Sequence, residues 1–524
     1  MIMAKKPQNS GPPHQSAPTG NPHVPPVIPP VIAPAIVPHA KVERAAVEAV
    51  NKAAQRSLYA PQKKIHPKRA KGTFRTIKWW VMIVTLGIYY LSPWLRWERA
   101  PGIPDQAILV DITGSRFYFF FIEIWPQEVY YITGLMILAA IGLFLVTSTL
   151  GRIWCGYTCP QTVWVDLFLV VERFIEGERN ARIKLDKADW SWSKLAKRIT
   201  KHVVWLIIAV FTGGAWVFYM NDAPTLMAQL LAFDAPLTTY FWIMLLTFTT
   251  YLLGGIAREQ VCTYMCPWPR IQAVMMDEDS LAVMYRHDRG EPRAPHKKGD
   301  SWAGRGDCVQ CRQCVVVCPM GIDIRDGLQL ECIQCSLCID ACDAVMEKID
   351  RPKGLIAYDS LANFERRAKK QPEKIQVVRP RTLLYALLMI IVGGGIFYGL
   401  MNRSDLEVNV LRDRNPLFVQ LSSGDIRNGY TVKILNKSHD IRKFSLSISG
   451  LAHFNMKVEG VHEATADGLP VIEVDRDRLR SVKVYLSVPK EDLIRHSIDI
   501  SIIARDINSD SISENTTSFK GPKK

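Results

Sequence analysis

The sequence predicts a multi-domain membrane protein in which an α-helical transmembrane bundle of five spans carries a cysteine-rich insert and a C-terminal β-sandwich. Three observations predict it. Five stretches hold no charged residue: 79–95, 129–151, 203–221, 235–257 and 382–402. At 17 to 23 residues each they reach or approach the length a helix needs to cross a bilayer. Eight of the 12 cysteines fall within 308–342. The 122 residues after the last apolar stretch contain no cysteine and several short β-patterned segments.

The net charge of +15 could point to nucleic acid, but its distribution does not. Residues 1–78 carry 13 Lys and Arg and the connection 152–201 carries ten, whereas 96–128 has three Arg against five acids. The connection 222–234 has two Asp and no basic residue. Alternation of basic and non-basic loops is the positive-inside pattern. It places the N-terminus, 152–202 and 258–381 in the cytoplasm, and 96–128, 222–234 and 403–524 outside, in the periplasm of a bacterial inner membrane. No nucleic-acid partner is expected. All 12 cysteines then lie on the reducing side, where thiols serve as ligands or redox groups and not as staples.

Taken in order, residues 1–74 form a proline-rich head and a basic segment. Eleven Pro in 1–38 predict an extended or disordered tail. Residues 40–57 have a helical composition, and Lys63, Lys64, Lys68, Arg69, Lys71 and Arg75 are expected near anionic headgroups. The first apolar run starts too late for a secretory signal, so it is expected to stay as an anchor. Residues 75–257 hold spans 1–4 as two hairpins, and Phe117 to Phe121 with Trp125 suit an interfacial belt between the first two. Residues 258–381 form a cytoplasmic region with a compact domain near 300–350, and 382–402 is span 5. In 403–524 the segments 428–435, 443–449, 481–487 and 497–504, parted by Asn436, Gly450, Gly468 and Pro489, predict a β-sandwich suited to docking.

An internal repeat links the two hairpins. Spans 2 and 4 both end in an Arg followed by C-x-Y-x-C-P: Cys155-Gly156-Tyr157-Thr158-Cys159-Pro160 and Cys262-Thr263-Tyr264-Met265-Cys266-Pro267. Two copies at equivalent depth argue for one bipartite site. Four-residue spacing puts both thiols of a copy on one helix face, and thiolates select soft ions such as Cu(I). Buried, inert cysteine is the alternative for a single pair, but duplication with Pro and Tyr favours a metal or redox site. Met265, Met275, Met276 and Met284 could assist such a route, although packing is the commoner use of Met. His287 and His296 are expected to be solvated.

The strongest motif is C-x2-C-x2-C-x3-C, met twice: Cys308, Cys311, Cys314, Cys318 and Cys332, Cys335, Cys338, Cys342. A short loop wraps three corners of a cubane and the fourth thiolate comes from the other motif. The spacing therefore assigns Cys308, Cys311, Cys314 and Cys342 to one [4Fe-4S] cluster, and Cys332, Cys335, Cys338 and Cys318 to a second, which makes the insert near 300–350 a ferredoxin-like two-cluster domain. Zinc competes for clustered cysteines, but two complete four-cysteine runs favour clusters. Asp343 stands where the second motif usually has Pro.

These motifs, with Gln161, Gly321-Ile322-Asp323-Ile324-Arg325 and Cys338-Ile339-Asp340-Ala341-Cys342-Asp343, resemble the FixG/CcoG family of bacterial cytochrome c oxidase accessory proteins over about residues 75–520. The resemblance implies an immunoglobulin-like sandwich and a role in assembling a cbb-type haem–copper oxidase. It also implies reduction of Cu(II) to Cu(I) at the cytoplasmic face, with Cys155, Cys159, Cys262 and Cys266 handling copper. A copper exporter and oxidase assembly factors are the expected partners, and the electron donor is open. Two other classes compete: a membrane quinol dehydrogenase of the NapH type, against which the fifth span and sandwich argue, and a non-enzymatic copper carrier or scaffold. For the topology, protease added to spheroplasts is expected to remove 403–524 and spare 258–381; digestion of the cysteine-rich region from outside would overturn it.

Overall fold

The computed structural model describes residues 44–45, 47–51, 64–99, 103–296, 300–493 and 495–522. The proline-rich head and most of the segment with helical composition lie outside the described residues. The chain divides into two compact units. One comprises the chain up to Arg75 with Val283–Gln329 and Ser336–Ala357, and the other comprises Thr76–Ala282, Leu330–Cys335 and Tyr358–Lys524.

Helix α1 (Thr73–Leu91) opens the bundle and runs on as a 3-10 turn through Trp94. Its first turn carries no acid of its own. The Asp340 carboxylate caps it from elsewhere, accepting the backbone N–H of Phe74 (3.1 Å) and Arg75 (2.7 Å). Strands β1 (Ile108–Asp111), β2 (Arg116–Phe119) and β3 (Ile122–Ile124) form an antiparallel sheet. Helices α2 (Tyr130–Leu150), α3 (Ile153–Tyr157), α4 (Pro160–Glu176), α5 (Arg179–Lys187), α6 (Trp192–Phe218), α7 (Ala223–Leu231) and α8 (Leu237–Thr250) follow, and α8 continues as a π-helix, Tyr251–Ala257. After a second π-turn, Val261–Met265, come α9 (Trp268–Met275), β4 (Ala282–Tyr285), α10 (His287–Gly290), α11 (Gln313–Val317) and α12 (Leu337–Lys348). Strand β5 (Ile356–Asp359) pairs with β4, and α13 (Leu361–Ala368) and α14 (Pro380–Met401) complete the helices.

Among the described residues, four helices are long and apolar enough to cross a membrane: Pro126–Leu150, Trp192–Phe218, Leu237–Ala257 and Pro380–Met401. The first apolar stretch is not among them. In α1 two Trp, two Tyr, Arg75 and Lys78 dilute the aliphatic content, so a fifth span there stands as a proposal. Helix α1 nevertheless packs in the bundle: Tyr89 donates to the carbonyl of Thr212 (2.7 Å) and stacks edge-on to Trp164.

Small residues set the closest crossings, as in membrane helices generally. A Cβ at Gly213 would lie 2.9 Å from the Ile243 carbonyl, bringing α6 against α8. Gly254 and Gly255 of the π-helix lie against the rings of Phe168 and Trp205, and Trp205 donates to the Phe168 carbonyl (3.1 Å). Gly134 of α2 faces Ile396 of α14.

Two expectations change in the described residues. Residues 44–45 and 47–51 are not helical; Ala45 donates to the Cys311 carbonyl (3.1 Å) and Val50 to that of Gly321 (2.8 Å), so their backbone bonds go to the cysteine-rich domain. Arg75 is buried and not at a headgroup surface. The aromatic loop after α1 is also more ordered than a belt. Tyr118 is buried in its sheet, and Gln106 anchors it by donating to the Phe218 carbonyl (2.8 Å) and accepting from the Ala223 N–H (3.0 Å).

The C-terminal region is a two-layer sandwich. Strands β6 (Leu406–Arg412), β7 (Val419–Gln420), β8 (Ile426–Asn436), β9 (Arg442–Ser449), β10 (Asn455–Val458), β11 (Val471–Val474), β12 (Arg478–Val488), β13 (Ser497–Asp506) and β14 (Ile512–Lys520) form it. One sheet has the order β10-β12-β8-β6 with β7 on β8, the other β11-β9-β13-β14. Alternation in β8 and β12 sends Tyr430, Val432, Ile434, Val484 and Leu486 inward against Phe444, Leu446 and Ile502. Buried Asn428 exchanges two hydrogen bonds with the backbone of Lys520 (2.8 and 3.0 Å), tying the sheets together.

The sandwich meets the bundle at Glu128, whose buried carboxylate receives Arg403 (2.9 Å) and Lys437 (2.7 Å). Replacing Glu128 by Ala leaves two cations facing each other. The expected cost is about 3 kcal/mol, read as a lower unfolding temperature of the detergent-solubilised protein; an unchanged temperature would show that the bundle and sandwich are held by other contacts.

Candidate iron–sulfur and thiol centres

The two cysteine loops of the central region have the same backbone shape. In Cys308-Val309-Gln310-Cys311-Arg312, Gln310 (φ 51°) and Arg312 (φ 56°) are left-handed; in Cys332-Ile333-Gln334-Cys335-Ser336, Gln334 (φ 54°) and Ser336 (φ 60°) match them. Non-glycine residues rarely take this conformation, and four at equivalent places are a shared constraint. They turn backbone amides toward sulfur: the Gln313 amide bonds the Cys311 thiol and the Gln334 amide the Cys332 thiol. The third cysteine of each loop, Cys314 or Cys338, then falls in the first turn of α11 or α12.

Helices α11 and α12 bring Cys342 across to the first loop. Cys308, Cys311, Cys314 and Cys342 line one pocket with Tyr285, Arg325 and Met346. Among the described residues, the ligand atoms that close to within 4.8 Å in a group of three or more belong to Glu123, His439 and Asp477. No three of the pocket sulfurs do. That spread suits the corners of a four-iron cubane and not one tetrahedral zinc ion.

Burial pushes the Cys314 and Cys342 thiols well up, and their neighbouring cysteines add to the effect. The opposing charge is Arg325, close to both Cys314 and Cys308. A forked pair with Asp323 (2.9 and 2.6 Å) fixes its guanidinium. This gives the Gly321-to-Arg325 segment its role: Gly321 turns (φ 64°), Asp323 holds Arg325, and Arg325 faces the sulfurs. Asp343 also finds a use that Pro could not supply, accepting the Gly354 N–H (2.9 Å).

The repeat thiols come from two hairpins. Gly151 (φ 62°) ends α2, α3 carries Cys155, and Cys159 caps α4 with Pro160 in its first turn. The second copy has one more residue between its Arg and its first cysteine. The backbone absorbs it with Arg258 at φ 43° and the two π-helical turns, whose wider winding accommodates an inserted residue.

The four thiols lie near one another, although no three of their sulfurs come within 4.8 Å among the described residues. Cys155 lies close enough to Cys159, Cys262 and Cys266 for each thiolate charge to bear on it; with burial the main cause, its thiol is pushed up to about 12 despite Arg152. Cys262 is likewise pushed up to about 12, by burial first, then by Cys159, Cys266 and Glu259. The repeats grip one another through two glutamines. Gln161, just after Cys159-Pro160, donates to the Leu253 (2.8 Å) and Arg258 (3.2 Å) carbonyls. Gln272 on α9, fully buried, accepts the Cys155 thiol (3.1 Å) and donates to Thr147 (3.3 Å). Pattern reading did not single out Gln272, because its partners are distant in sequence.

The weaker candidates separate from this centre. Met265 is exposed beside Cys266, and Met284 is buried in β4. His287 meets the Tyr285 ring edge-on, and His296 stacks on Trp302 (4.2 Å) and is not simply solvated. The Glu123, His439 and Asp477 group is already answered by Arg116, which lies 3.9 Å from the Asp477 carboxylate and also donates to its carbonyl. It reads as an ionic clasp between β2–β3 and the sandwich.

The crossed pocket makes a prediction about partners. Cys342→Ala and Cys314→Ala, although from different motifs, are expected to remove the same one of two reduced-cluster EPR signals. Loss of different signals would overturn the crossed arrangement.

Three family models match the chain. One described as a 4Fe-4S dicluster domain matches 257–361, one described as a 4Fe-4S binding domain matches 132–175, and one described as the IG-like fold at the C-terminal of FixG matches 396–522. Nitrogen fixation protein FixG of Rhizobium meliloti is 52% identical over 90% of this chain and 95% of its own. Protein RdxB of Cereibacter sphaeroides is 52% identical over 81% of this chain and 89% of its own. A crystal structure of a FixG-related protein from Vibrio parahaemolyticus aligns with 23% of this chain and 100% of its own, at 21% identity and a TM-score of 0.20. With iron–sulfur domains and a FixG-type C-terminal domain in one chain, and half its residues shared with FixG along almost the full length, the protein belongs to the FixG family of iron–sulfur redox proteins.

Proposed function

We propose that this chain is an inner-membrane electron-transfer protein that reduces Cu(II) to Cu(I) at the cytoplasmic face, in support of assembling a cbb-type haem–copper oxidase. The observation that carries the reading is that two repeats bring Cys155, Cys159, Cys262 and Cys266 near one another, with the Cys155 thiol bonded across the repeats to Gln272. The orientation follows the loop charges: 258–381 inside, 403–524 outside.

In this reading Cys308, Cys311, Cys314 and Cys342 hold one [4Fe-4S] cluster, and Cys332, Cys335, Cys338 and Cys318 hold the other. When bound, such clusters supply one-electron transfer, which matches a one-electron copper couple. The chain's own residues prepare the copper site. Burial keeps Cys155 and Cys262 protonated without metal, so copper binding displaces protons. Thiolates favour Cu(I) over Cu(II), which makes reduction downhill at that site. Gln272 orients Cys155, and the repeat contact through Gln161 holds the two pairs in register. Cu(I) then leaves toward an exporter, and the outer sandwich docks assembly partners.

A second reading has its own support. The model matching 132–175 is described as a 4Fe-4S binding domain, yet that segment holds only Cys155 and Cys159. The four repeat thiols would then carry a third cluster. Iron content separates the two. The proposal expects eight iron per chain, with or without Cys155 and Cys159. It also expects Cu(II) reduction by chemically reduced protein, followed with a Cu(I)-specific chelator, to be lost in the Cys155→Ala/Cys159→Ala double variant. Twelve iron falling to eight in that variant would establish the third cluster, and normal copper reduction by it would make these thiols structural.

A further inference from the structure

We propose that the two repeats are not equivalent: the first couples the thiol site to a cluster-binding loop through Arg152 and Gly156, while the second anchors the site to the helix bundle. This rests on the copper-reduction reading and adds the route.

Both repeats open with an arginine, and the two point to different tasks. Arg152 is buried. Its backbone N–H donates to Gln334 Oε1 (2.7 Å), and its guanidinium donates to the carbonyls of Leu330 (2.6 Å) and Cys332 (3.4 Å). The cysteine loop 330–335 is thus held by the first repeat at both levels, side chain and backbone. Gly156, between Cys155 and Cys159, packs on the same loop. A Cβ there would lie 2.7 Å from the Ile333 carbonyl, 2.9 Å from that of Gln334 and 3.0 Å from the Cys335 Cα. At Gly151 it would lie 2.5 Å from Gln334 Oε1. The backbone of the first thiol pair therefore touches the backbone of the Cys332–Cys335 loop with no side chain between.

The second repeat makes no such use of its equivalents. Arg258 turns into the bundle, pairing with Glu172 (2.7 Å) and donating to the Gly255 carbonyl (2.8 Å). Thr263 occupies the place of Gly156, and its hydroxyl donates to the Glu259 carbonyl (2.9 Å). Glu172 is itself fully buried beside Arg182 (3.5 Å), so Arg258 is locked into a buried charge network.

Electron transfer weakens steeply with the gap between centres, so bare backbone contact is the short path. Arg152 adds a fixed positive charge close to both Cys332 and Cys155, favouring the electron-rich state of whatever either sulfur ligates. One electron given up by the reduced iron–sulfur centre on that loop converts one Cu(II) on the thiols to Cu(I); no proton or atom is exchanged.

The test uses the full-length, dithionite-reduced protein in detergent. Cluster reoxidation by added Cu(II) is followed in a stopped-flow instrument, midpoint potentials are read by EPR-monitored titration, and iron and copper contents are measured for each variant. Gly156→Ala is expected to slow reoxidation at least tenfold with copper binding retained. Arg152→Gln is expected to shift one cluster to lower potential, and Thr263→Ala to change neither quantity. Should Gly156→Ala shed iron, the potential of Arg152→Gln decides alone. Wild-type rate and potential in both first-repeat variants, with copper still reduced, would overturn the route and leave the functional reading standing. Failure of the wild type to be reoxidised by Cu(II) would overturn both.

Discussion

Four thiols drawn from two hairpins can act together only if the hairpins hold each other in register, and here that is done by two glutamine amides, one half-buried and one fully buried. Gln161 of the first repeat donates to carbonyls at the end of the second hairpin, and Gln272 of the second takes the thiol hydrogen of Cys155 in the first. A glutamine suits this work because it offers donors and an acceptor in one side chain without bringing charge into a buried site. The π-helical turns belong to the same solution. They place Cys262 beside Cys155 despite the extra residue, and they expose the Leu253 and Arg258 carbonyls that Gln161 needs.

Charge is arranged around the thiols and kept out from among them. Glu172, Glu176, Arg182, Lys201 and Arg258 are buried charges beside the second repeat, with Glu176 receiving the half-buried Arg198 (2.8 Å) and Lys201 (2.9 Å). Each carboxylate has a cation within reach, which is the condition under which buried charge is tolerated. The cysteine-rich domain follows the same rule on a smaller scale, with Asp307 between Arg289 and Arg351 and Asp323 under Arg325. The sulfurs therefore sit in surroundings of low polarity punctuated by fixed cations, suited to thiolates that must give up protons to bind a soft ion and to clusters that gain negative charge on reduction.

Much of this was legible in the sequence because it depends on local spacing. Cysteines every third residue state a cluster loop, and C-x3-C-P stated twice points to one site. Alternation in 428–435 and 481–487 points to strands that the structure extends to Ile426–Asn436 and Arg478–Val488. What stayed hidden depends on partners far along the chain. Nothing near Thr73 announces that Asp340 caps α1, and nothing near Ala45 or Val50 announces that their amides bond the cysteine-rich domain in place of a helical ladder. The sheet Ile108–Ile124 was masked by its aromatic content, which reads equally as an interfacial belt. The first apolar stretch, 79–95, lies on a helix that begins earlier, at Thr73, and so takes in Arg75 and Lys78; it is not among the four most apolar helices of the described residues, and its crossing stands as a proposal.

The central claim is that both repeats contribute sulfur to a single copper site. X-ray absorption spectroscopy at the copper edge of Cu(I)-loaded protein tests it most directly, on the wild type and on the Cys155→Ala/Cys159→Ala and Cys262→Ala/Cys266→Ala pairs. A bipartite site gives sulfur-only coordination in the wild type and a reduced sulfur number, or no bound copper, when either pair is removed. Unchanged coordination after removing one pair, or nitrogen and oxygen ligands in the wild type, would contradict it.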